Sequence, residues 1–555
     1  MTKHIIQKGL VISITLLFFG TGAIGSLNST ISNNSPIRGN TLYVGGAGPG
    51  NYTKIQDAID SASDGDTIIV YARIYYENQI IINKALRIQG SGWTTTIIDG
   101  SDAILTSDGL VRIVANGDVT FQGFMIKNAG GIPGYGSGDN KQNMGIVVYS
   151  NSPGVTYTIS SNKIIGTQNP NDDYDWGFYA ISGGQENIIF TNNIITQTGC
   201  NNIVIEKTTG STEISFNILD AGCWGIDSIY YMTYDGVDIT TLQKINNNTI
   251  DVGTGINPGS SNKVTAIGFS SAYLGCQGVP DSGKYTHIII SGNTINNIKE
   301  WRRGIAIDNF ALGNGGGGEI FNTVIKNNII NGVSTTPTSF GIRLSGLVTN
   351  TSIEGNRITN CDMSFWGRTG YFGSNAVFPV ATRINNNNFA DNAQGLVWEG
   401  AALLNAEYNW WGDESGPRHS GNPGGSGDPI SGNVDYSPWL LYYGPDVTLP
   451  VVKITAPEQK FLYINFFGIF PLKIKFFTTL IIGKIEFSVN ATDNQSGIKK
   501  VEFYVDDQLK ATGTTAPYNW MWSDRVLFFP YTIKVIAYDN GGNQNSDVLN
   551  IWKIF

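Results

Sequence analysis

The sequence predicts an all-β chain, a long solenoid of stacked coils followed by a smaller strand-rich module. Three observations carry that prediction. Two short apolar signatures recur, helical patterns are nearly absent, and Gly (69 of 555 residues) and Asn crowd the joints between apolar segments. A chain this long exceeds one ordinary core, so a repeat array or several domains is expected.

In chain order, residues 1–25 read as a secretory signal. Lys3 and Lys8 precede an apolar run from Leu10 to Phe19, and the small residues Ala23 and Gly25 stand before Ser26. The run is too short for an ordinary spanning helix, which points to a secreted or cell-surface protein. Residues 26–40 read as a disordered linker, and 41–440 as the solenoid. At its front, YTKIQDAIDSASDGD (52–66) sets Ile55, Ala58, Ile59 and Ala62 on one helical face, with Thr53 as N-cap. This is the expected cap helix, and TIIVYARIYYENQIIINKALRIQGSG (67–92) supplies the first coils.

The first signature reads SNKII, TNNII, SFNIL, NNNTI, SGNTI, KNNII, EGNRI and NNNNF. Aligned on Ile164, Ile194, Ile218, Ile250, Ile295, Ile329, Ile358 and Phe389, its gaps are 30, 24, 32, 45, 34, 29 and 31 residues. The shortest gap is close to one turn of a three-sided coil, and the others add loop insertions. The second signature includes GIVVYS (145–150), GFYAIS (177–182), NIVIEK (202–207), GIDSIY (225–230) and GLVWEG (395–400). Its alternation is that of a half-buried strand. No coil buries its apolar face alone, so each is stabilised by its neighbours. The Asn ahead of the first apolar residue suits an internal ladder of side-chain amides.

Cys200, Cys223 and Cys361 share one phase of the repeat, two residues before the second strand, where the last coil has Ala393. Cys200 and Cys223 fall on adjacent coils about 4.8 Å apart, compatible with a disulfide. At the far end, EYNWWGDESGPRHSG (407–421) offers Trp410 and Trp411, which with Trp439 make an aromatic lid within a closing segment at 407–440. A linker (441–450) leads to residues 451–555, whose alternating segments predict a β-sandwich. The apolar stretch FLYINFFGIFPLKIKFFTTLII (461–482) carries Pro471, Lys473 and Lys475 near its centre, which argues against a membrane span. A pair of buried strands or a membrane-surface hairpin is expected instead.

Several motifs resemble known families. The amphipathic helix, Asp64-Gly65-Asp66, Tyr75-Tyr76-Glu77-Asn78 and Ile82-Asn83-Lys84 resemble the opening of the right-handed parallel β-helix superfamily. That superfamily includes pectate lyases and the carbohydrate-binding and sugar-hydrolase repeat proteins. Arg73 stands where many relatives carry Gly. The closing segment is similar to that of surface β-helix proteins. ATDNQSGIKKVEFYVDD, APYNW and VIAYDNGGN resemble the immunoglobulin-like modules of prokaryotic surface proteins. The resemblance implies a fold and a polysaccharide or cell-surface glycan as partner, not a particular activity.

The chemistry is less legible. With 35 Lys and Arg against 44 Asp and Glu, net charge −9 and no basic cluster, nucleic acid is a poor partner. The three His lack the setting a polygalacturonase site needs, and the paired-aspartate and arginine pattern of pectin methylesterases is not found. Three His, four Cys and six Met without clustering argue against copper. Asp172, Asp173 and Asp175 suggest a solvated turn ahead of a calcium site, as do Asp493 and Asp539 in the last module. No metal or cofactor is expected. The third and fifth residues of the second strand face outward and include Tyr149, Tyr179, Glu206, Asp227, Asp308, Arg343 and Glu399. Tyr149 and Tyr179 can stack on sugar rings, while Arg302, Arg303, Arg343 and Glu399 add polar contacts. Glu206 and Asp227 on neighbouring coils would stand about 8 Å apart diagonally, a spacing open to inverting hydrolysis, with Asp308 on the same face. Three readings stay open: a monomeric, surface-associated carbohydrate-binding protein, a polysaccharide hydrolase or lyase, and a structural or adhesion protein.

Overall fold

The computed structural model describes residues 39–103, 109–129, 144–150, 152–166, 176–182, 185–197, 201–220, 229–233, 237–252, 265–270, 283–298, 302–308, 319–333, 339–372, 375–443, 449–465, 472–493, 498–526, 528–539 and 543–554. Among these, residues 41–435 wind through three sheets of fourteen, eleven and thirteen strands. Each coil visits them in one order. Thr156–Ser160 lies in the first sheet, Lys163–Ile165 in the second and Trp176–Ser182 in the third, before Asn187–Thr191 returns to the first. Strands pair in parallel with their counterparts one coil on, so this is the expected parallel β-helix, with Ile, Val and Phe columns filling its interior.

The corner between the first and second sheets holds the predicted ladder. Asn162, Asn193, Asn217, Asn248, Asn293, Asn328, Asn356, Asn387 and Asn409 form one buried column. From Asn193 on, each Oδ1 accepts the backbone N–H and a side-chain N–H of the asparagine one coil earlier, at 2.9–3.3 Å, while Asn162 Oδ1 accepts the Phe124 N–H at 3.0 Å. The side-chain N–H groups also reach carbonyls of the preceding coil, Ile159 from Asn193 and Ile214 from Asn248. The residue before each ladder asparagine is left-handed, with φ of 54–65° at Ser161, Asn192, Phe216, Asn247, Gly292, Asn327, Gly355, Asn386 and Tyr408. That conformation turns the chain sharply between sheets, and it suits the Gly and Asn that recur there.

The ladder also corrects the register of the repeat. The buried residue of the second sheet lies two positions after the ladder asparagine: Ile164, Ile195, Leu219, Ile250, Ile295, Ile330, Ile358 and Phe389. Ile194, Ile218 and Ile329 face outward, the last two 52% and 40% exposed. A one-residue slip moves a side chain to the other face of a strand. In the third sheet, the coil read as GIDSIY instead places its strand at Ile229–Met232, with Ile229 opposite Ile203 and Tyr231 opposite Ile205. Cys361 is buried, and its N–H donates to Asn392 Oδ1 at 2.9 Å, so its counterpart is Asn392 rather than Ala393. Cys200, Cys223 and the Asp172, Asp173 and Asp175 loop lie outside the described residues.

A short helix, Ile55–Ser61, buries Ile55, Ala58 and Ile59 in the same core. Thr53 is not its N-cap: that position is Lys54, which makes no side-chain cap bond. Buried Glu77 takes the role from outside, accepting the Ile55 N–H at 2.7 Å, and Lys84 Nζ donates to the carbonyls of Ile59, Asp60 and Ala62 at the other end. A negative group at the N-terminus and a positive one at the C-terminus match the helix dipole. In the closing segment Trp411 is fully buried against Phe389, ring centroids 5.2 Å apart, and Trp439 is partly buried on the same core. Trp410 is half-buried, its backbone pairing with Asn388. Asp413 forms the expected turn, accepting the amide and hydroxyl of Ser415.

Residues 451–554 fold as three- and seven-stranded sheets around Phe487, Phe503, Trp522, Val535 and Ile551. Asp539 anchors a turn by accepting the Asn543 backbone and side-chain N–H. The apolar stretch contains Phe461–Asn465 paired antiparallel with Leu472–Lys475. The latter strand lies at the sheet edge and is exposed throughout, so the expectation of a buried strand pair does not hold.

Candidate functional site

The outward side of the third sheet carries two side-chain rows along the stack. One includes Val147, Tyr179, Val204, Ala306, Arg343, Trp366 and Val397; the other includes Tyr149, Ile181, Glu206, Ser270, Asp308, Ser345 and Arg368. These are the third and fifth strand positions expected to face outward. Outward does not mean solvated, because Tyr179, Glu206, Asp308 and Arg343 are all buried.

At the upstream end, Met144, Val147, Tyr179 and Val204 form an apolar cluster separate from the solenoid core, joined by Tyr149 and Trp176. Tyr179 meets Trp176 at 4.7 Å and Tyr149 edge-on at 6.4 Å. Its hydroxyl donates to Glu206 Oε2. The Arg112 guanidinium lies 4.2 Å from the centroid of Tyr149, a cation–π contact. The sequence brings Tyr149, Tyr179 and Glu206 together as expected but does not advertise Arg112 or Trp176. Alternation in VRI (111–113) was the signal for Arg112.

In the middle of the stack, Asp308 and Arg343 were expected as separate surface contacts. They are instead a buried bidentate pair, with Arg343 Nε donating to Asp308 Oδ1 at 3.0 Å and Nη2 to Oδ2. Ala306 opposite Arg343 and Ser345 opposite Asp308 are small, which lets the guanidinium lie back across the strand pair. Arg303 starts the strand that ends at Asp308, with Arg302 before it; both are half-buried. Burial pulls the Arg302 guanidinium below its ordinary range, partly opposed by Asp251.

The downstream end is more open. The Trp366 indole N–H donates to Glu399 Oε1 at 2.9 Å, and Glu399 Oε2 accepts both the amide and the hydroxyl of Thr369 at 2.8 Å. Arg368 places its guanidinium 4.7 Å from the indole centroid, and Phe340 packs against the same ring at 5.0 Å. Partial burial raises the Glu399 carboxyl, but Thr369, Trp366 and Arg368 outweigh it and leave it below the usual carboxylate value. Glu399 was expected here; Trp366 and Arg368 were missed, because SFWGR (364–368) lacks the Gly-Ile opening of the signature.

The described residues hold only one member of the expected Glu206–Asp227 pair. Asp227 lies outside the described residues, and the partner of Glu206 on the next coil is Met232. Asp308 is three strands further on, about 14 Å by strand spacing. Among the described residues no three His, Cys, Asp or Glu side chains gather to hold a metal ion. At the first coils a shallow cleft of about 430 Å³ is lined by Tyr43, Tyr71, Asn51 and the 46–49 loop. Its tyrosine rings are near-parallel, centroids 6.1 Å apart.

Residues 478–542 match the family model of the bacterial Ig domain. No curated protein matches the chain. Among solved structures the chain is similar to XylC in complex with xylose, at TM-score 0.44 and 10% identity, covering 92% of this chain and 100% of that one. It is similar to the tailspike protein of E. coli bacteriophage HK620 in complex with pentasaccharide, at TM-score 0.38 and 12% identity, covering 91% of each. A third similarity, to the fibronectin(III)-like modules of Clostridium thermocellum CbhA, has TM-score 0.15 and 21% identity. It covers 23% of this chain and 53% of that one, so the chain spans about half the length of that relative.

Proposed function

We propose that this chain is a secreted or cell-surface protein that binds carbohydrate on the outer side of its third sheet. The observation that carries the reading is the cluster of Trp366, Arg368, Thr369 and Glu399. Sugar recognition needs an aromatic surface for the apolar C–H face of a pyranose and fixed polar groups for its hydroxyls. Here an indole, a carboxylate held by three donors and a guanidinium meet on adjacent coils. The leader-like residues 1–25 support the location, and no described helix is long and apolar enough to cross a membrane.

Among the described residues, spacing favours binding over hydrolysis. Paired-carboxylate hydrolysis requires separations of about 5–9.5 Å, whereas Glu206 has Ile181 and Met232 as register neighbours and Asp308 is bound to Arg343. Glycan-array screening followed by titration of the best ligand tests the proposal. Trp366→Ala and Glu399→Gln are each expected to weaken binding at least about tenfold with unchanged melting. Silence on every glycan, or full affinity in both variants, rejects it. Release of reducing ends that disappears in Glu206→Gln would instead establish the hydrolytic reading.

A further inference from the structure

The last module has one sheet face that its own core does not use. In the seven-stranded sheet, Leu472–Lys475, Phe461–Asn465, Leu480–Gly483 and Gln544–Ile554 lie side by side in that order. Their registers align Ile474, Leu462, Leu480 and Trp552 in one row and Leu472, Ile464, Ile482 and Ile554 in the next. Residues two apart on a strand share a face, so seven aliphatic side chains and one indole stand together. Ile481 and Ile551, on the alternate positions, belong to the module core. The eight on the other side are half-buried or exposed, Leu472 at 50% and Ile474 at 46%. Phe477, beside them in sequence, is 80% exposed.

The charge within the apolar stretch is of one sign. Residues 460–484 contain Lys460, Lys473, Lys475 and Lys484 and no carboxylate, within a chain of net charge −9. Lys473, paired with Glu458, and Lys475 alternate with Leu472 and Ile474 and so leave from the other side of the edge strand; exposed Lys460 and Lys484 stand at the ends of Phe461–Asn465 and Leu480–Gly483 and flank the apolar rows.

We propose that this face docks on an anionic lipid bilayer, with the two apolar rows at the boundary between headgroups and acyl chains and the flanking Lys460 and Lys484 at lipid phosphates. The central strands satisfy their backbone hydrogen bonds within the sheet, so bringing them to the hydrocarbon edge strands few polar groups. Lysine stems cover apolar surface while their ammonium groups reach the headgroups. Sugar is a poor occupant, because the rows offer only one hydrogen-bonding group, the Trp552 indole. A second copy is also disfavoured, since it would oppose two sets of lysines.

The test is co-sedimentation of the full chain with vesicles of phosphatidylcholine alone or mixed with phosphatidylglycerol. Binding to the mixed vesicles, weakening with salt, is the expected result. Leu472→Asp/Ile474→Asp is expected to reduce that binding at least about tenfold without changing the melting temperature, since both residues are half-exposed on an edge strand. Lys460→Glu/Lys484→Glu, which leaves the apolar rows intact, is expected to remove the preference for phosphatidylglycerol. Wild-type protein left in the supernatant with both vesicle types overturns the proposal, as does undiminished binding in both variants. A dimer dispersed by Leu472→Asp/Ile474→Asp without vesicle binding overturns it too, assigning the face to a second copy. Glycan binding at Trp366 is read separately and is not altered by either outcome.

Discussion

The asparagine corner and the outer side of the third sheet are built by the same coils under opposite rules. At the corner nine successive coils repeat one residue and one backbone conformation, joined by one recurring pair of hydrogen bonds. On the outer side no two neighbouring coils present the same pair of residues: Tyr179 and Ile181 give way to Val204 and Glu206, and Arg343 and Ser345 to Trp366 and Arg368. Repetition is what stacking rewards, because each copy satisfies the next. Departure from it marks where stacking is not the only demand, and the candidate sugar contacts lie there.

The sharpest way to break the corner is to remove one rung. Asn248→Ala leaves the Asn217 backbone and side-chain N–H without their acceptor and takes a donor from Ile214 O and Asn293 Oδ1. Buried unsatisfied groups cost about 1–3 kcal/mol each, so a loss of about 3–5 kcal/mol is expected, read as a lowered denaturation midpoint. Trp366→Ala on the outer side is expected to affect ligand affinity rather than the midpoint.

A second experiment tests the register that the ladder imposes. Ile330→Ala empties a fully buried site and is expected to cost about 2–4 kcal/mol. Ile329→Ala, at a position 40% exposed, is expected to cost under about 1 kcal/mol. Equal losses in thermal or chemical melts would contradict the register.

These two positions also explain what the sequence conveys. Coils, turns and ladder are legible because Asn at the corner and Gly or Asn before it answer a local backbone requirement. The buried isoleucine is harder to pick, since Asn-Ile-Ile offers two apolar neighbours and a three-residue strand gives too little alternation to choose. The rule that decides is the fixed offset of two from the ladder asparagine, visible only once that asparagine is known to point inward. The outer site is least legible. Neither the diagonal reach of Arg343 to Asp308 nor the meeting of Trp366 with Glu399, 33 residues on, leaves a periodic trace.

The smallest expected effect concerns a place where the ladder rule is repeated with a charge. At the corner entering the third sheet, Asn392 Oδ1 accepts the Cys361 N–H, and Asp428 Oδ2 accepts both the backbone and side-chain N–H of Asn392, at 3.0 and 2.9 Å. Asp428 thus fills a ladder position with a carboxyl. Burial raises it to about 6, against the two Asn392 bonds and Arg418, with Asp391 adding to the rise. A folded-state value above the unfolded one means the folded chain holds the proton more tightly. The stabilisation from this group is complete below about pH 4 and is lost as pH rises through about 6. The difference is about 1–3 kcal/mol. Asp428→Asn supplies a neutral amide whose oxygen can accept the same two bonds. Its stability is expected to be higher than wild type at pH 7 and flat between pH 4 and 6 as far as this position contributes. Denaturation midpoints across that window check it, and an unchanged slope in the variant would show that Asp428 does not carry the proton.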